Sequence, residues 1–356
     1  MFHALPPTQV PTEWPMFRFN PARTGCAEAR RIGRVKNLRW EFHVRDGFRS
    51  SPALADDVLY VGGLDSKIYA IDIRTGRERW VVTTGGEVSA SPALAGSNVL
   101  IGSADGKLYR IERETGRVVW TFETGGAIWS SAACVADRVY VGSNDGYLYC
   151  LDLEQGRSVW RFHADHRVRS SPAVANGTVF VGTDAGDIAA LNLEDGRVRW
   201  KLRTGGPVFS SPVVDDRAVY AGSFDYRLYA CNRESGEILW NFGTGLHIQS
   251  SPSLSSGKVL IASTDGFLYA LNALSGEEIW KFSTPWSIGS TPVVVGDLVY
   301  VAPFSGPLSG LDVTTGEPRF RSRAGSTVFS SPLLAEGLVF ATTSEGSLYA
   351  LEGEDS

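Results

Sequence analysis

Cysteine, methionine and histidine are scarce in this chain, at 4, 2 and 5 among 356 residues. Cys26, Cys134, Cys150 and Cys231 are far apart, with no CxxC, no HxH context and no adjacent pair. That removes the usual zinc and dithiol motifs, so no metal site and no cofactor are expected. The last three cysteines stand where sister repeats carry Leu, Val, Ala or Ile, and read as small core residues of a reducing compartment. A basic surplus is also missing. Lys and Arg number 34 against 39 Asp and Glu, a net charge of −5, which argues against a nucleic-acid backbone as partner. No apolar run approaches the roughly 18 residues of a membrane helix. The opening MFHALPPTQVPTEWP has no basic start followed by an apolar core. A cytoplasmic protein is therefore expected, or a periplasmic one if a signal peptide has been removed. GxSxG, HExxH, Walker and strand–helix GxGxxG motifs do not occur. Neither does a 3.6-residue apolar period, and 39 glycines speak against a helical repeat.

What the chain does contain is repetition. Trp recurs at 40, 80, 120, 160, 200, 240 and 280, with Phe320 as the eighth member. Pro recurs at 52, 92, 172, 212, 252, 292 and 332, with Ala132 in the gap, and Gly at 76, 116, 156, 196, 236, 276 and 316. The 40-residue register never slips. Each unit divides into four segments of strand character, as in VSASPAL, NVLIGSA, KLYRIERE and RVVWTFET. They are rich in β-branched and aromatic residues and are separated by Gly or Asx turns. The ETGR stretch is a hairpin turn, in which Gly116 supplies a positive φ. The DG turns at 105–106, 145–146 and 265–266 lack calcium-ligand spacing and read as structural.

Four antiparallel strands in about 40 residues make a β-propeller blade, so the fold class is all-β with eight blades. Only seven TG-type turns accompany the eight Trp/Phe positions. The last blade is therefore split: three strands come from the C-terminal SLYALEGEDS region and one, NLRWEFHV, from the N-terminal side. Residues 1–35 are expected to be an extension packed on the propeller, and 36–356 a single domain. Each Trp is expected on an outer strand, docked against the next blade.

The repeated DGxLYALN, SGxxxW and GTGGxVxSSP patterns resemble the PQQ-like propeller family over about residues 36–352. The stretch EWPMFRFNPARTG, from Glu13 to Gly25, is similar to the lead-in of propellers related to the outer-membrane assembly lipoprotein BamB. The resemblance implies the fold. It leaves function open, because the family includes both redox enzymes and binding scaffolds. Its quinoprotein dehydrogenases hold a quinone with an adjacent Cys-Cys pair and a metal-bound Glu, Asn and Asp, and this sequence has no such pair. Cys26, preceded by NPARTG, is not expected to serve as the lipid-modified cysteine that ends such a lipoprotein's signal peptide.

The eight repeats can be compared with one another. Departures from consensus fall mainly in the loops joining strand four to strand one and strand two to strand three, which blade topology puts on one face. The candidate ligand-binding residues are Arg45, Arg49, Trp129, Arg167, Arg169, Phe209, Gln249, Trp286, Phe304 and Phe329. Arginines grip carboxylate or phosphate, and aromatics build apolar walls. His166, His247 and Glu87 are the candidates for proton transfer. Gly289, in a blade that has lost its DG turn and its Tyr, leaves room for a pocket wall. The expected function is a binding scaffold for an anionic or aromatic small ligand, a peptide or a protein at the channel mouth. The alternative is a non-redox lyase, isomerase or cyclase using the same funnel. A monomer with no nucleic-acid partner and no membrane span is expected.

Overall fold

The structural unit is a four-stranded antiparallel meander whose middle strands are sealed on both faces. The structure, a computed structural model, describes residues 16–17, 20–24, 26–27, 34–322 and 330–354, without the side chains of 26–27, 34–36 and 354. In the third blade the strands are Ala133–Val135, Arg138–Gly142, Tyr147–Asp152 and Ser158–His163. Their registers pair Ala133 with Tyr140, Tyr140 with Cys150 and Cys150 with Trp160. The third strand is an almost unbroken apolar run because neighbouring blades cover both its faces. The fourth alternates, with Ser158, Val159, Arg161 and His163 outward, because it forms the rim.

Among the described residues, seven sheets have four strands and one has five. The split blade closes as the sequence implies. Arg34–His43 pairs with Ser347–Glu354, which pairs with Leu338–Thr342 and then Leu333–Ala335. Trp40 stands opposite Ala350, and the core at this seam runs on through Phe48, Leu59, Tyr300 and Phe340. Closure removes the open edges that would invite aggregation.

The tryptophans dock as expected. Trp80 Nε1 donates to the Arg113 carbonyl of the next blade at 2.8 Å, and its ring packs on the Gly116 turn, where φ is +74°. The same bond joins Trp200 to Arg233 at 2.9 Å and Trp40 to Ile73 at 2.7 Å. The innermost strands are shorter than their apolar segments suggest. In the second blade only Ala93–Ala95 of the VSASPAL region is strand. The preceding backbone departs because its hydrogen bonds go to the neighbouring blade.

The lead-in threads across one end of the propeller. Met16 bridges to Ala93. Val174, Val214 and Leu254 donate from their backbone N–H groups to the carbonyls of Pro21 (2.8 Å), Ala22 (3.2 Å) and Thr24 (2.8 Å). Cys26–Ala27 then runs parallel to Val294–Val295. The acceptors step along the lead-in while the donors advance by 40 residues, so the segment gives successive inner strands an edge partner. No helix among the described residues is long and apolar enough to cross a membrane.

Candidate functional site at the channel mouth

The two classes of loop that carry the departures lie against each other. Asn144 N–H donates to the Ala127 carbonyl (2.9 Å), Asp184 to Arg167 (3.0 Å), Phe224 to Pro207 (2.9 Å) and Phe304 to Ser287 (3.0 Å). In ordinary blades the DG aspartate latches this corner. Asp105 Oδ2 accepts from Tyr109 Oη at 2.6 Å and from the Gly85 N–H at 2.7 Å. Burial pushes the Asp105 carboxyl up, but those bonds, with others from Lys107 and Ser103, outweigh it and leave the group below its ordinary range. These aspartates are thus occupied by protein donors. In the fourth blade Ala185 and Ala189 stand where the Asp and Tyr would be, and in the seventh Ser305 and Ser309 do. The latch is absent from both.

The released corner of the fourth blade carries the best-formed constellation. Arg169 has its guanidinium carbon 4.9 Å from the Trp129 ring centre and 4.8 Å from that of Phe209. Phe209 meets Phe224 at 4.4 Å, and Phe224 stacks on His247 at 4.5 Å with the rings 16° apart. Trp129, Arg169, Phe209, Phe224 and His247 thus form one ladder across the loops of four blades. Such contacts fix a flexible arginine in one pose. Its Nε lies 3.1 Å from Asp184 Oδ2, but the alignment is not that of a hydrogen bond and the buried Nε stays unpartnered. Asp184 Oδ1 and Asn144 Oδ1 are also buried without hydrogen-bond partners. Burial raises the Asp184 pKa, and Arg169, Arg167 and His166 pull it back only in part. The orphaned Arg169 Nε and Asp184 Oδ1, side by side at one fixed cation, are what a polar ligand would satisfy.

The other candidates divide by position. Arg49, Trp129, Phe209 and Gln249 line the central cavity, which measures about 200 Å³. The room at Gly289 is already filled: an added Cβ would lie 2.0 Å from Phe304 Cζ and 2.4 Å from Gln249 Nε2. Trp286 leans on Gly306 and stays 39% exposed. His166, Arg167 and Glu87 are exposed loop side chains. Arg45 is 92% exposed, lies 4.0 Å from Asp46 and takes no part in lining the cavity. Phe329 lies outside the described residues.

Below the mouth lies a feature built from what the repeats share. The second serine of each SSP-type motif lines the cavity: Ser51 and its equivalents at 40-residue intervals, with Thr291 as the seventh. Ser51 N–H donates to Ser91 Oγ and Ser91 N–H to Ser131 Oγ, both at 2.9 Å. The pattern continues from Ser131, Ser171, Ser211 and Ser251. Ser331 N–H returns to Ser51 Oγ at 3.0 Å. These are the bonds that draw the chain out of the inner strands. Phe17, from the lead-in, also lines the cavity. Its carbonyl accepts from Arg23 Nη1 at 2.9 Å. Arg23 is fully buried and donates to the carbonyls of Pro172 (2.6 Å), Ser131 (2.8 Å) and Ala132 (3.1 Å). Burial lowers its pKa to about 9, against a small opposing effect of Cys134. The serine period was visible in the sequence; Arg23 lay inside the lead-in motif, where nothing marked it for burial.

These features define a class: a closed, eight-bladed propeller of PQQ-like repeats with a hydroxyl-lined channel and an arginine–aromatic mouth. The family described as “Outer membrane protein assembly factor BamB” matches residues 31–161, 144–284 and 264–356, and the chain belongs to it. BamB from Moraxella catarrhalis has a TM-score of 0.77 at 20% identity, over 89% of this chain and 99% of that one. The quinohemoprotein alcohol dehydrogenase ADHIIG from Pseudomonas putida HK5 has a TM-score of 0.83 at 14% identity, over 98% and 81%. Both likenesses concern the fold. A curated relative, lupanine 17-hydroxylase [cytochrome c] from a Pseudomonas species, is 43% identical over 53 residues, 14% of this chain and 8% of that protein. The adjacent Cys-Cys pair implied by the redox members has no counterpart in this chain.

Proposed function

We propose that this PQQ-like propeller is a binding protein that holds an anionic group of a small ligand or acidic peptide at the channel mouth. Arg169 carries the reading. It is pinned between Trp129 and Phe209, beside Asp184, and none of its N–H groups makes a hydrogen bond to another described residue. A guanidinium held in one pose with unused donors has already lost the side-chain entropy that binding would cost. Trp129 and Trp286, both about two-fifths exposed, give an attached apolar or aromatic part somewhere to rest. The enzymatic alternative has less support, because the His247 ring lies stacked on Phe224 as part of a wall. The buried free thiols of Cys150 and Cys231 favour a reducing compartment, which fractionation of the native cells tests.

The test is titration calorimetry with a panel of dicarboxylates and acidic peptides against the intact chain, Arg169→Ala with Arg49→Ala, and Arg45→Ala. Binding should be lost or weakened about tenfold or more in the double variant, as when a charged hydrogen bond is removed. Arg45→Ala should bind as the intact chain does. Unchanged binding in the double variant would remove this face as the site.

A further inference from the structure

We infer that the throat below the mouth is a separate binding site for one compact inorganic anion of halide or phosphate size, seated on the propeller axis inside the serine ring. The hydroxyls carry the first part of the argument. Every Oγ in the ring from Ser51 to Thr291 accepts a backbone N–H from a neighbouring blade. None of the ring hydroxyls, Ser331 included, donates to another described group, so their protons have no acceptor among the described residues. All eight line one cavity, and each is only 4–8% exposed. A hydroxyl that has accepted a hydrogen bond is a better donor than a free one. Converging donors around an axis then make a ring complementary to negative charge.

A ring of hydroxyl oxygens could also face a cation through its remaining lone pairs. The surrounding charge decides against that. Arg49 lines the cavity and no carboxylate does. On the lead-in side Arg23 is wholly buried, with carbonyl partners and no carboxylate partner among the described residues. Its Nη2 bonds the carbonyl of Ser131, whose own hydroxyl belongs to the ring. A buried cation without a counter-ion acts over long range in a low dielectric. An anion on the axis would supply the missing charge and accept the hydroxyl protons of the ring.

The site shares one cavity and Arg49 with the mouth reading, but rests on the serine ring and Arg23 and is tested separately. Crystals of the intact chain soaked in sodium bromide should give an anomalous peak on the axis, level with the serine oxygens. An axis without bromide overturns the proposal. Bromide beside Arg169 instead would overturn the throat site while leaving the mouth reading standing. In solution, calorimetric titration with sodium bromide and with inorganic phosphate shows which size of anion the ring prefers. Ser211→Ala, which removes one donor, should weaken binding about fivefold. Ser211→Thr should stay within about twofold, because Thr291 already serves in the ring and keeps the hydroxyl. Arg23→Gln should weaken binding about tenfold or more, as a charged partner is lost. Equal affinities for the intact chain, Ser211→Ala and Arg23→Gln would refute it.

Discussion

Replacing Gly236 by alanine probes the contact that joins one blade to the next. Gly236 sits at φ +76°, where a residue with a Cβ pays about 1–2 kcal/mol. That Cβ would also lie 2.6 Å from Trp200 Cδ2 and 2.7 Å from Cε3. Neither the ring nor the turn can retreat freely, and such overpacking costs about 1–3 kcal/mol. The expected loss for Gly236→Ala is the sum, about 2–5 kcal/mol. Trp200→Ala deletes a side chain that is 8% exposed, bonded to Arg233 and 5.9 Å from the Phe180 ring. It should cost about 3–5 kcal/mol. In the double variant the new methyl faces the space the indole has left, so only the backbone penalty of Gly236→Ala persists. The combined loss should fall short of the sum by about 1–3 kcal/mol, as expected for residues in contact. Urea denaturation followed by far-ultraviolet circular dichroism measures this without relying on tryptophan fluorescence, and constant m-values would justify comparing midpoints. Additivity within about 0.5 kcal/mol would mean that Trp200 and the Gly236 turn do not touch, and would refute the account of blade docking.

Deleting residues 1–44 should leave Ser347–Glu354 as an open edge and strip Trp40 from its place opposite Ala350, producing aggregation. Deleting 1–33 keeps that strand and removes the lead-in and Arg23, so a folded protein with a lower melting temperature is expected; identical behaviour of the two would refute ring closure by Arg34–His43. Acid titration should show stability falling between about pH 4 and pH 2. The Asp72 carboxyl is lowered to about 2, chiefly by its hydrogen bond from Arg79, and Asp312 to about 2, chiefly by Arg319. A carboxyl whose folded pKa is depressed stabilises the fold above its unfolded pKa and loses that effect as pH falls through the folded value. Asp72→Asn with Asp312→Asn should flatten this slope, and an unchanged slope in the double variant would refute the assignment.

The sequence by itself determined the blade, the number of blades and the way the ring closes. Those features rest on short-range rules, repeated without a slip: alternation within a strand, a glycine at each outer hairpin turn, and a Trp such as Trp80 at a fixed offset from Gly116. The missing eighth turn implied the split blade, because an edge left unpaired costs too much. The mouth was legible only as a set of departures. Arg49, Trp129, Arg169 and Phe209 could be named, but nothing local said that Arg169 lies between two rings while Arg45 points to water. That depends on how neighbouring blades are rotated about the axis, which brings residues 40 apart into contact. The serine ring's hydrogen bonding and the burial of Arg23 were decided entirely by tertiary structure. A serine in one repeat is unremarkable by itself and becomes one member of a hydrogen-bonded ring only after closure. Arg23 has no periodicity, and its burial follows from carbonyls at Ser131, Ala132 and Pro172, more than 100 residues away.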